Sequence, residues 1–123
     1  MICSIAMFVA VSCSQGAAAI DKAYEQACQA ASPEKVATTL CNGDIKCATL
    51  TSDEVAKLGA VLNYITYTGL YKANFEAQVD MYQFGKLLDS YRDIEQHQTS
   101  AEKLQIEEYT KNILINTNIQ VNE

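Results

Sequence analysis

The chain has 123 residues, which suits one domain and is short for two. An apolar share of 49% is that of a globular protein and excludes a wholly disordered chain. The formal charge of −6, with eight scattered lysines and Arg92, argues against a nucleic-acid surface, because phosphate affinity comes from clustered Lys and Arg.

Asp21 is the first charged residue. Ahead of it, Ile2 to Val11 is an apolar run, followed by Ser12-Cys13-Ser14-Gln15-Gly16 and then Ala17-Ala18-Ala19. The length of the run and its A-x-A ending are those of a secretory signal peptide. Residues 1–19 are therefore expected to be a leader and residues 20–123 a single helical domain, exported to a periplasm or secreted. The run is too short to span a bilayer, which takes about 20 apolar residues. No Lys or Arg precedes it, unlike the usual leader, so a buried N-terminal helix is the competing reading. A lipoprotein anchor at Cys13 is a variant of the leader, although Ala10-Val11-Ser12 lacks the usual leucine.

Five cysteines fall within the first 47 positions and none follow. Cleavage after Ala19 leaves Cys28, Cys41 and Cys47. In an oxidising compartment an odd number gives one pair and one free thiol. A disulfide between Cys41 and Cys47, across the Asn42-Gly43-Asp44 turn, is expected; Cys28 to Cys41 is the alternative. A structural zinc site takes four ligands, and the sole histidine, His97, lies far along the chain, so no metal is expected.

The elements read as helices. Asp21 to Ala31 is a short one, with Ala23, Tyr24, Ala27 and Cys28 along one side. Ser32 is placed to cap a second helix, and Pro33 suits its first turn, where the missing N–H costs nothing. That helix, Glu34 to Leu40, should end at Asn42-Gly43, whose glycine tolerates a left-handed stop. Ile45 to Leu50 alternates weakly and reads as extended.

Thr51-Ser52-Asp53-Glu54 has the form of a capping box and opens the longest periodic stretch, which runs to His97 without proline. A straight helix of that length would measure about 69 Å at 1.5 Å per residue, far beyond a domain with a radius of gyration of about 13 Å. The side-chain phases conflict as well. Val55, Leu58 and Leu62 share one face, while Tyr64, Tyr71, Phe75 and Tyr82 fall near the opposite one. A break near Thr68-Gly69 resolves this, giving helices over about 52–68 and 71–97. Thr99-Ser100-Ala101-Glu102 is a second capping box. The helix it starts carries Leu104, Ile106, Tyr109 and Ile113 and should end around Leu114. The tail from Ile115 to Asn122 alternates with period two, as a short strand would. The fold expected is all-α: a small bundle of four to five helices, with the one short C-terminal strand as its optional addition.

No reactive set emerges. A nucleophilic cysteine needs a base, and His97 at a helix end is better explained by the C-terminal dipole. Glu76 with Asp80 and Asp89 with Asp93 are paired carboxylates, but surface partners such as Lys72 and Arg92 lie nearby. Phosphate-binding glycine loops and hydrolase motifs are absent. The most informative feature is a crowd of aromatics, Tyr64, Tyr67, Tyr71, Phe75 and Tyr82. Tyrosine combines a large apolar body with a polar tip and is enriched where protein surfaces meet. The chain is expected to be no enzyme and to need no cofactor, acting by binding another protein through those five residues. Self-association of its long helices is the alternative.

Overall fold

The computed structural model describes residues 15–68 and 79–117. Among the described residues there are five α-helices and no strand: α1 (Gln15–Cys28), α2 (Pro33–Asn42), α3 (Ser52–Thr68), α4 (Met81–Glu95) and α5 (Ser100–Thr117). A single 3-10 turn, Cys47–Thr49, lies between α2 and α3, where extended chain was expected; only its flanks, Lys46 and Leu50, are extended.

Three helix starts, those of α2, α3 and α5, are built as the sequence indicates. Ser32 Oγ accepts from the Lys35 N–H at 3.2 Å, with Pro33 in the first turn. At Thr51 the box closes both ways: Thr51 Oγ1 accepts from the Glu54 N–H (3.2 Å), and Glu54 Oε1 accepts from the Thr51 N–H (2.9 Å). Thr99 and Glu102 repeat the arrangement at 3.2 and 2.8 Å. Each box satisfies two amide donors that a helix start would otherwise leave unpaired.

Four boundaries differ from expectation. α1 begins at Gln15, so Ala17-Ala18-Ala19 are helical and Gly16 lies against the Asp44 carbonyl, where an added Cβ would come within 2.9 Å of the oxygen. The left-handed stop occurs at Ala30 (φ 62°), while Gly43 is extended at φ −92°. Ala31 N–H reaches back to Gln26 O and Ala30 N–H to Ala27 O, the Schellman pattern. α4 begins at Met81 rather than at residue 71, because the Asp80 side chain caps it. Finally, α5 continues through Ile115 to Thr117, so the expected strand is helical there; the remainder of that tail lies outside the described residues.

α3 is the axis of the bundle. Val55, Ala56, Leu58, Ala60, Val61, Leu62, Tyr64 and Ile65 are all buried. They point in nearly every direction around the helix, and α1, α2 and α5 pack on it. The apparent conflict of faces in the sequence thus has a simple source: this helix has little outer side. α1 offers Ile20, Ala23 and Ala27, α2 offers Val36 and Leu40, and α5 offers Ile106 and Ile113.

Cross-helix contacts fix the directions. Asp21 pairs with Lys57, and Ala31, just beyond α1, meets Tyr64, so α1 and α3 run parallel. Ser52 bonds Glu102 and Asn63 bonds Thr110, so α3 and α5 are parallel too. Gly16 at Asp44 and Gln26 at Thr39 set α2 antiparallel to α1. A polar knot ties the three parallel helices. Lys57 Nζ lies 3.1 Å from Asp21 and 3.3 Å from Asp53, and 6.0 and 5.9 Å from the ring centres of Tyr24 and Tyr109. Tyr109 donates to Asp53, which holds that carboxyl below its usual range; the hydrogen bond to Asp21 raises the Lys57 ammonium.

Candidate functional site

α4 lies against α2 and the 3-10 turn. Asp80 Oδ1 accepts from the N–H groups of Tyr82 and Gln83, both at 3.1 Å. Val79, just before the cap, and Phe84, four residues into the helix, are buried at 5% and 2% exposure. That is the placement of a hydrophobic staple, and it fixes the direction in which α4 leaves the cap.

The inner side of α4 and the 43–48 segment form the walls of a groove of about 400 Å³. Gln83, Lys86, Leu87 and Ser90 line one wall. The other is formed by Leu40 and Cys41 at the end of α2, and then by Gly43 to Ala48. The second wall is shaped by short-range bonds: Gly43 N–H to Leu40 O, Ile45 N–H to Gly43 O, and the Thr49 hydroxyl to Lys46 O. Both signs of charge face the groove, Asp44 against Lys46 and Lys86. At the start of the helix stand Met81 and Tyr82, 45% and 72% exposed, with Lys86 Nζ 5.4 Å from the Tyr82 ring centre.

Cys41 and Cys47 both line this groove and both are thiols, as is Cys28. The expected Cys41–Cys47 bridge is therefore not formed in this structure. Each sulfur has a partner of its own, one at the cap of α4 and one on the helix. Cys41 Sγ lies 3.8 Å from the Asp80 carbonyl oxygen, and Cys47 is engaged with Ser90. Burial, reinforced by the Asp80 charge, pushes the Cys41 thiol up to about 11, and burial also raises Cys47 and Cys28. Near neutral pH such groups are protonated and poor nucleophiles.

The five aromatics expected to form one surface separate. Tyr64 is 3% exposed and donates to Ala31 O at 2.7 Å, so it belongs to the interior. Tyr67 is 42% exposed at the end of α3. Tyr71 and Phe75 lie outside the described residues. Of the three that are described, Tyr82 joins the groove region, through Lys86. Of the neighbours that complete the surface, Cys41, Cys47 and the turn between them stand out in the sequence for another reason, whereas Met81 and the α4 wall do not. One signal for them exists: Asp80-Met81-Tyr82-Gln83 between Val79 and Phe84 is a cap with its staple.

A smaller notch of about 320 Å³, where α4 meets α5, contains Asp93, His97 and Glu102. His97 and Glu102 are held by near neighbours. His97 Nδ1 donates to the Asp93 carbonyl (2.9 Å), and Glu102 is held by Thr99 and Ser52. Of the paired carboxylates, Asp80 is the cap, Asp89 sits 3.8 Å from Arg92 on the surface, and Glu76 lies outside the described residues. Among the described residues no group of three His, Cys, Asp or Glu is arranged for a metal ion, and no helix is long and apolar enough to cross a membrane. No family model, curated protein or solved structure matches the chain.

Proposed function

We propose that this is a small exported helical protein that works by binding another protein, as an inhibitor, an immunity-type protector or an accessory envelope subunit. The observation that carries the reading is Tyr82, 72% exposed beside Met81 next to a groove of mixed charge. A large aromatic held open to water by a rigid helix is the kind of anchor that dominates binding energy at protein interfaces. The charge of −6 favours approach of a basic partner. Export rests on the apolar run ahead of Asp21. A leader boundary upstream of Gln15, of which acylation at Cys13 is one form, would leave α1 whole.

The test is a photo-crosslinking residue placed at position 82 in the full chain, in its native source, with position 25 on α1 as control. A partner captured from position 82 and not from 25, and lost when Met81 and Tyr82 are both changed to Ala, supports the reading. Capture that is equal from both positions, or that survives the double substitution, overturns it.

A further inference from the structure

The inward side of α5 is Ile106, Thr110 and Ile113, all buried. On the opposite side, Leu104, Glu108, Lys111 and Ile115 recur at spacings of four, three and four. At about 100° per residue they fall within an arc of about 60°. All four are exposed, Leu104 at 61% and Ile115 at 73%. The ion pairs among the described residues involve neither Glu108 nor Lys111. The stripe reads apolar, acidic, basic, apolar, and turned end for end it is its own complement.

We propose that this face of α5 pairs with the same face of a second copy of the chain, antiparallel, about a two-fold axis between Tyr109 and Thr110. In that register Leu104 meets Ile115 of the second copy, Glu108 meets Lys111 of the second copy, and symmetry repeats each contact. Charge selects the direction. A parallel pair would set Glu108 against Glu108 and Lys111 against Lys111, whereas the antiparallel pair satisfies all four charges and covers both exposed aliphatics. The stripe spans about 16 Å along the helix. A single helix face buries less than the roughly 800 Å² per partner of a standard interface, so the dimer is weak, with a dissociation constant of about 0.1 mM. No α5 residue lines the α4 groove, so this face is free to act whatever occupies that groove.

Sedimentation of the full chain from about 10 μM to 1 mM tests the pairing, together with Glu108→Lys, Lys111→Glu and the double swap. The wild type should approach twice the monomer mass at the upper end. Each single swap sets like charges opposite one another at both contacts and should weaken association about tenfold. The double swap restores the complement and should recover it. The two single variants, mixed, should associate with each other more strongly than either does with itself. A wild type that stays monomeric at 1 mM overturns the proposal. So do single swaps without effect, a double swap as weak as the singles, and a mixture without preference; the last three would place any association on another face.

Discussion

Gly59 occupies the middle of α3, where intrinsic preference alone would favour alanine by about 1 kcal/mol. The packing around it says the opposite. A Cβ at this position would overlap the Tyr91 hydroxyl and stand 3.0 Å from Tyr91 Cζ and 3.2 Å from Ile106 Cγ2. Tyr91 is 7% exposed and belongs to the buried core cluster, so its ring has little room in which to retreat. Overpacking of this kind costs about 1–3 kcal/mol. After the propensity gain, Gly59→Ala should lose up to about 2 kcal/mol, lowering Tm by up to about 8 °C in a domain of this size. Gly85 in α4 is the control, because nothing lies within 4 Å of its would-be Cβ; Gly85→Ala should gain about 0.5–1 kcal/mol. Tyr91→Phe in the Gly59→Ala background removes the overlapping oxygen and should recover part of the loss, a coupling that a double-mutant cycle reads directly. Urea and thermal unfolding followed by circular dichroism measure all five proteins, the wild type, Gly59→Ala, Tyr91→Phe, their double variant and Gly85→Ala. If Gly59→Ala is stabilised as Gly85→Ala is, the close contact of α3 with Tyr91 is not as described.

Asp80→Ala should cost about 1 kcal/mol in unfolding free energy, while Asp80→Asn, still able to accept from Tyr82 and Gln83, should cost little. Ala30→Gly relieves a left-handed backbone at an exposed site and should raise stability by up to about 1 kcal/mol, seen as a higher urea midpoint. Cys41 should react slowly with a disulfide reagent at pH 8 and speed up only as pH nears 11; Asp80→Asn removes the nearby charge and should shift that profile to lower pH. The linked stability has a definite sign. A thiol pKa raised by folding favours the folded state fully below the unfolded value, about 8.5, and that contribution fades as pH rises through about 11.

What the sequence makes legible here is local. Thr51 with Glu54, and Thr99 with Glu102, place two helix starts to the residue, because a hydroxyl and a carboxylate at that spacing have one good arrangement. The stop at Ala30 is not legible, since alanine carries no preference for a left-handed backbone and only the Gln26 carbonyl bonded by Ala31 reveals it. The parallel course of α1, α3 and α5 is equally hidden, because it depends on pairs such as Asp21 with Lys57, distant in sequence. The groove is hidden for the same reason: its walls come from residues 40–48 and 83–90, which only the fold brings together. The aromatic crowd was legible as composition and misleading as a surface, since Tyr64 finds its partner at Ala31 inside the bundle.

The position of Tyr82 follows from the cap rather than from its own chemistry. Asp80 fixes where α4 starts, and Val79 and Phe84 fix how it is rotated, because both are buried. Tyr82 precedes Phe84 by two residues, about 200° around a helix, so an inward Phe84 compels an outward Tyr82. Lys86 follows Tyr82 by four and returns to nearly the same side, which brings its ammonium over the ring while its stem still borders the groove. Had α4 begun at residue 71, as periodicity alone suggests, Asp80 would have been an ordinary helical carboxylate and Tyr82 would have stood inside a helix rather than in its first turn. One carboxylate thus sets the geometry of the exposed aromatic, and through its backbone carbonyl and its charge it also governs the thiol at the groove's edge.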